Sequence, residues 1–166
     1  MVRRDTLDAA YEGNGYYVAR GLFTPEEVAE IRQTFMDQNA NGPVPDLSET
    51  IGAHGGYDAS DPLSFYPRMM HSHKHADKPV GPLSMRSMTH PRLRPLLAAL
   101  FDEEPFAVQS MFYFKPPGAR GQALHQDNFY LRAKPGTCMA AWVAVDDADE
   151  ENGGMMCVPN TSLLAI

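Results

Sequence analysis

From residue 105 onwards the chain breaks into short apolar runs, each closed by a turn, and this cadence constrains the fold more than any other feature. "FAVQSMFYFK" (106–115) ends at "PPGARG", and "QALHQDNFYL" (122–131) ends at "AKPG". "TCMAAWVAVDDA" (137–148) ends at "DEENGG", and "MMCVP" (155–159) follows. Aromatic and β-branched runs punctuated by Gly, Pro and Asn predict strands of an antiparallel sandwich or jelly roll. The expected fold class is therefore mainly β, preceded by helices.

The N-terminal portion has a different texture. "GYYVARGLFTPEEVAEIRQTF" predicts a short strand and then a helix: Thr24 caps, Pro25 suits the first helical position, and Glu27 completes a T-x-x-E capping box. Val28, Ile31 and Phe35 then share one face at helical spacing. Residues 39–90 are rich in Gly, Pro, Asp and Ser without a sustained period, which predicts long loops with at most short helical turns. A second helix is expected from about Pro91 to Phe101, with Leu93, Leu96, Leu97 and Leu100 on its buried side.

The 166 residues are enough for one domain with a real core. A net charge of -7 without a Lys/Arg stripe argues against nucleic acid as a partner. No run approaches the length of a membrane span, and the N-terminus has no apolar segment of the kind a secretory signal needs, so an intracellular location is expected. Cys138 and Cys157 are accordingly expected to be reduced.

The chemistry concentrates in "ALHQDNFYL". On an extended segment, residues i and i+2 point to the same face, so His125 and Asp127 project together. An imidazole and a carboxylate on one face are two thirds of the 2-His-1-carboxylate triad that holds Fe(II) in non-haem oxygenases. Taken alone, H-x-D is a weak signal that a solvated hairpin edge explains equally well. "HSHKH" adds His71, His73 and His75 at i, i+2 and i+4, a pattern able to bind metals but more simply a solvated loop. His54 and His90 have no evident partner and are expected to be structural.

"QSMFYFKPPG", "GQALHQDNFYL", "AAWVAVDDADEENGG" and "VPNTS", in this order, together with "GYYVARGLFTPEEVAEIR", resemble the phytanoyl-CoA dioxygenase family of Fe(II)/2-oxoglutarate-dependent oxygenases. The resemblance covers most of residues 13–160. It implies a double-stranded β-helix, a cupin-like jelly roll, with residues 1–104 as a helical and loop region packed on the sheet and residues 105–166 as the first part of the core. It also implies Fe(II) held by His125 and Asp127, with 2-oxoglutarate and O2 as cosubstrates. Trp142, Met111 and Lys74 match positions at the cosubstrate pocket, and Asn152 and Gly153 match a structural turn. Phe112, Phe114, Phe129 and Tyr130 are candidates for an apolar shield around the iron or for core packing. Related halogenases replace the carboxylate ligand with a small residue, so Asp127 implies a hydroxylase acting on a small organic molecule.

The family's third ligand, a distal His, and its 2-oxoglutarate-binding Arg belong on strands beyond the turn that here reads "VPNTSLLAI". The jelly roll is thus expected to be incomplete at the C-terminus, as in a truncated form, with open β edges available for self-association. The alternative is a catalytically silent member acting as a binding or interaction module.

Overall fold

A computed structural model describes residues 11–49, 58–119, 121–161 and 164. The chain divides into two compact units. One, the core unit, comprises Phe23–Leu93 and Phe106–Arg120; the other, the motif unit, comprises Met1–Leu22, Arg94–Pro105 and Gly121–Ile166.

The core unit begins with helix α1 (Pro25–Gln38), started by the expected capping box. The Thr24 hydroxyl accepts from the Glu27 amide at 3.2 Å, while the Glu27 carboxylate accepts from the Thr24 amide at 2.7 Å. Two amide donors that the helix cannot satisfy internally are thereby paired. Ile31 and Phe35 are buried, and Val28 is half-buried. Phe35 stacks on Phe112 with ring centroids 4.0 Å apart and planes 5° from parallel. Phe114 meets Phe112 edge-on at 4.9 Å and lies 5.5 Å from Tyr66, so Phe112 and Phe114 pack the core unit.

Helix α2 (Pro62–Phe65) is a single turn capped by Asp61. Strand β1 (Met69–Met70) then pairs antiparallel with β2 (Met111–Phe112), in the register Met69↔Phe112 and Met70↔Met111. The Leu47 carbonyl also accepts from the Met70 amide at 2.9 Å, which seats the chain around Leu47 against β1. A 3-10 turn, Ser72–Lys74, leads to α3 (Val80–Met88), whose Val80, Leu83 and Ser84 are buried. The nine residues of α3 fall where long loops were expected. Pro79, Gly81 and Pro82 at its start hide the helical pattern, because prolines near a helix N-terminus sacrifice only amides that lack partners anyway. Helix α4 (Leu93–Phe101) starts slightly later than anticipated, and only Leu93 on it is buried.

The mainly β jelly roll is not what forms. Among the described residues, strand structure is limited to β1 and β2, of two residues each, with an isolated bridge between Ser48 and Met69. The rest is helix, turn and irregular chain; residues 16–19 and 137–148 are not strands. The physical reason is that a strand exists only by hydrogen bonding to a neighbour, whereas aromatic and β-branched composition reports only compatibility with a pleated surface. Phe106 (88% exposed) and Val108 have no sheet to pack on. Among the described residues, the buried apolar side chains Ile31, Phe35, Leu47, Met69, Val80, Leu83 and Leu93 all belong to the core unit. In the motif unit Leu124, Phe129, Tyr130, Trp142, Met156 and Val158 are exposed. No helix among the described residues is long and apolar enough to cross a membrane.

Candidate metal pair and its surroundings

"ALHQDNFYL" is not one extended strand. Leu124–Gln126 is irregular, and Asp127 opens a five-residue helix, α5 (Asp127–Leu131). His125 and Asp127 nevertheless converge: Nε2 of His125 lies 3.3 Å from Oδ1 of Asp127. Local polar ties hold this bend. The Gln126 side-chain amide donates to the Thr161 carbonyl at 3.1 Å, and Asn128 Oδ1 accepts from the Ala133 amide at 2.7 Å. Arg132, in the left-handed region at φ 51°, ends the helix.

The tautomer of His125 follows from its second nitrogen. Nδ1 is 2.7 Å from the Ala123 carbonyl, and a carbonyl can only accept, so Nδ1 carries the proton. In the neutral ring Nε2 then turns a lone pair toward a carboxylate oxygen. Two acceptors at this range repel unless a proton or a cation lies between them. The arrangement fits a divalent cation. Metal–ligand bonds of about 2.1 Å place neighbouring ligand atoms of one ion roughly 3 Å apart, close to the observed 3.3 Å. A histidine that donates its other N–H to a carbonyl is also how ligand rings are usually oriented. The side chains are 28% and 45% exposed, so an ion can reach them from solvent.

Tyr130 stands edge-on to His125 with ring centroids 5.4 Å apart, and Phe129 stands edge-on to Tyr130 at 5.1 Å. Cys138 is a free thiol pushed up by burial and, secondarily, by the charge of Asp127. Among the described residues, no group of three or more His, Cys, Asp or Glu side chains is arranged to hold a metal. Trp142 is in the same unit and 49% exposed. Asn152 and Gly153 sit in a turn in which Asp149 accepts from the Glu151 and Asn152 amides, with Gly153 at φ 93°.

Met111 and Lys74 belong to the core unit, on β2 and on the 3-10 turn respectively; both are exposed. His71 and His73 lie on the same turn with ring centroids 6.1 Å apart. His54 lies outside the described residues. His90 is structural, as expected, but it has partners. Its Nδ1 accepts from the Arg92 amide at 3.2 Å, which leaves the Nε2 proton for Glu27 at 3.0 Å. Glu27 is held below the usual carboxylate range, first by the Thr24 amide and then by His90. A cleft of about 340 Å³ beside this pair is bordered by Phe23, Ile31, Leu83 and Arg86, and its charges are internally matched, as in the 2.6 Å pair between Arg86 and Glu30.

Sequence reasoning missed Ser72, Ser84 and Ser110, which form a linked set of hydroxyls in the core unit. Nothing in their spacing, 12 and 26 residues apart, signals that they meet.

Comparison with known proteins agrees with the motifs that led to the histidine–aspartate pair. The family model described as phytanoyl-CoA dioxygenase (PhyH) matches residues 11–165. A zebrafish (Danio rerio) phytanoyl-CoA dioxygenase domain-containing protein 1 is 28% identical over 182 aligned positions, covering 91% of this chain and 62% of the relative. An Arabidopsis thaliana phytanoyl-CoA dioxygenase is 24% identical, covering 95% of this chain and 64% of the relative. The mouse (Mus musculus) phytanoyl-CoA dioxygenase domain-containing protein 1 is 38% identical over 90 positions, covering 52% of this chain and 30% of the relative. The chain thus spans less than two thirds of the length of these relatives. No solved structure matches it. With the family model matching nearly the whole length, the chain belongs to the phytanoyl-CoA dioxygenase (PhyH) family.

Proposed function

We infer that the chain serves an Fe(II)/2-oxoglutarate-dependent dioxygenase that hydroxylates a small organic substrate, with His125 and Asp127 as two of the iron ligands. The observation that carries this reading is the 3.3 Å approach of His125 Nε2 to Asp127 Oδ1, with Nδ1 tied to the Ala123 carbonyl. Membership of the family supports it.

The Ala123 carbonyl keeps the imidazole of His125 from rotating, so Nε2 remains directed at the metal position. Asp127 supplies the anionic ligand, and its retention favours hydroxylation over halogenation. Tyr130 stands edge-on to His125 and packs against one side of the ring. For 2-oxoglutarate, Trp142, in the same unit as the metal pair, supplies apolar contact. Bound iron would supply the O2 chemistry that couples oxidative decarboxylation of 2-oxoglutarate to oxidation of a C–H bond.

The test is succinate release from 2-oxoglutarate with Fe(II) and O2, measured for the chain and for Asp127→Ala across a panel of small organic substrates. Release that depends on Asp127 supports the reading. Metal binding without succinate for any substrate contradicts it and favours a catalytically silent binding module.

A further inference from the structure

One metal-binding pattern in the sequence, "HSHKH" at 71–75, plays no part in the site above. A solvated loop would leave its rings free, and the fold does not. His71 and His73 are half-buried at the 3-10 turn of the core unit, and Ser72 between them is fully buried. Their ring centroids lie 6.1 Å apart, with the planes 72° to one another.

Both histidines are tied to a single residue, Ser110. Its carbonyl accepts from the His71 amide at 2.8 Å, and its hydroxyl accepts from the His73 amide at 3.2 Å. The same hydroxyl lies 2.8 Å from Nδ1 of His73, which leaves Nε2 as the nitrogen available to an ion. Metal-ligating imidazoles are oriented in this way, by an oxygen on the second nitrogen. Ser110 is fixed in turn by Ser72 Oγ at 3.1 Å, and Ser72 accepts from the Ser84 hydroxyl at 2.9 Å. Burial, followed by the charges of His71, Lys74 and His75, holds His73 below the usual histidine range. Its ring is therefore neutral at neutral pH and need not lose a proton charge before binding a cation.

His71 carries two unfavourable features. Its backbone is in the left-handed region at φ 52°, a conformation that persists only where neighbours over-determine it. Its Nδ1 is buried without a hydrogen-bond partner. An orphaned nitrogen of this kind costs about 1–3 kcal/mol, and a cation shared with His73 would relieve it.

The ring separation fits such a cation. A metal about 2.1 Å from a ring nitrogen stands roughly 3.2 Å from the ring centroid. Two rings on one ion then have centroids about 4.5 to 6.4 Å apart, as the angle at the metal opens from a right angle to a straight line. The observed 6.1 Å lies inside that span, toward its wide end. Among the described residues no carboxylate joins the pair to make a group of three. Imidazoles without a carboxylate suit Zn(II), Cu(II) or Ni(II) better than Mn(II) or Mg(II).

We propose that His71 and His73 form a second metal site, different from the His125–Asp127 pair, which binds one Zn(II) through His71 Nδ1 and His73 Nε2 with water completing the shell. The proposal does not depend on oxygenase activity.

The test uses the full chain carrying His125→Ala, so that the other pair is removed, and measures Zn(II) by equilibrium dialysis and 15N NMR. One equivalent of Zn(II) is expected to bind, with Mn(II) weaker by about tenfold or more. Adding His71→Ala or His73→Ala should each weaken Zn(II) binding by about tenfold or more, while adding His75→Ala leaves it unchanged. No Zn(II) binding in the His125→Ala chain overturns the proposal, as does unchanged affinity in either alanine variant. An equal loss in His75→Ala also overturns it, because it would mean chelation by a loose three-histidine loop. If an alanine variant does not fold, the spectrum of the His125→Ala chain decides. Zn(II) shifts at His71 Nδ1 and His73 Nε2, with His73 Nδ1 protonated, support the site, and no shift at either nitrogen rules it out.

Discussion

The imidazole of His125 and the carboxylate of Asp127 face one another at 3.3 Å, with the far nitrogen of the ring anchored to a carbonyl only two residues back. In the neutral ring this anchoring places the proton on Nδ1 and the lone pair on the Asp127 side. The metal-free chain is therefore predicted to show the Nδ1–H tautomer of His125 by 15N NMR whenever that ring is neutral. Zn(II) should shift Nε2 while leaving Nδ1 protonated. A neutral ring with its proton on Nε2 would mean that His125 donates to Asp127 as an ordinary hydrogen bond.

Thr24 and Glu27 satisfy each other's backbone amides at the start of α1. Thr24→Ala is expected to cost about 1 kcal/mol and to lower the melting temperature by several degrees, with Thr24→Ser close to wild type. Circular dichroism melts read both. An unchanged melt in Thr24→Ala would show that α1 is held by packing alone.

Gly81 has no room for a methyl group, because the obstructing atom is the His75 backbone oxygen, which cannot swing aside. Gly81→Ala should destabilise the fold by about 1–3 kcal/mol, the usual range for overpacking, despite the better helix propensity of alanine. Urea denaturation measures it. A stabilised variant would contradict the close approach of α3 to the histidine turn.

Two groups give the fold an acid sensitivity of the same sign. Burial holds His73 below its ordinary value of 6.5, so the unfolded chain takes up a proton there first. Stability from this group is full above pH 6.5 and declines as the pH falls below it. Glu27 is held below 4.5, chiefly by the Thr24 amide and then by His90, so its contribution is full above pH 4.5 and is lost further into acid. Urea midpoints measured from pH 8 to pH 3 should fall in these two successive windows. His73→Gln should flatten the first and Glu27→Gln the second. Flat midpoints in the wild type between pH 7 and 5 would contradict the depressed His73.

Local chemistry was readable in the sequence where a few neighbouring residues suffice. The capping box of α1, its buried Ile31 and Phe35, and the helix ending at Phe101 follow from spacing alone. The meeting of His125 and Asp127 was anticipated, though by a different route: a bend into α5 brings them together, not the alternation of a strand. The jelly roll failed because "FAVQSMFYFK" and "TCMAAWVAVDDA" carry strand-like composition, while strand structure requires a hydrogen-bonding partner that composition does not specify. The linked serines and the Glu27–His90 pair were unreadable for another reason. They join residues 12 to 63 positions apart, and a serine or a lone histidine in a loop has no periodicity.

The central claim is that His125 and Asp127 hold a divalent metal, and Mn(II) binding followed by electron paramagnetic resonance tests it directly. The wild-type chain should bind one equivalent, and His125→Ala and Asp127→Ala should each weaken binding by tenfold or more while leaving the melting temperature of the fold within a few degrees of wild type. Equal Mn(II) affinity in the wild type and both variants would contradict the claim.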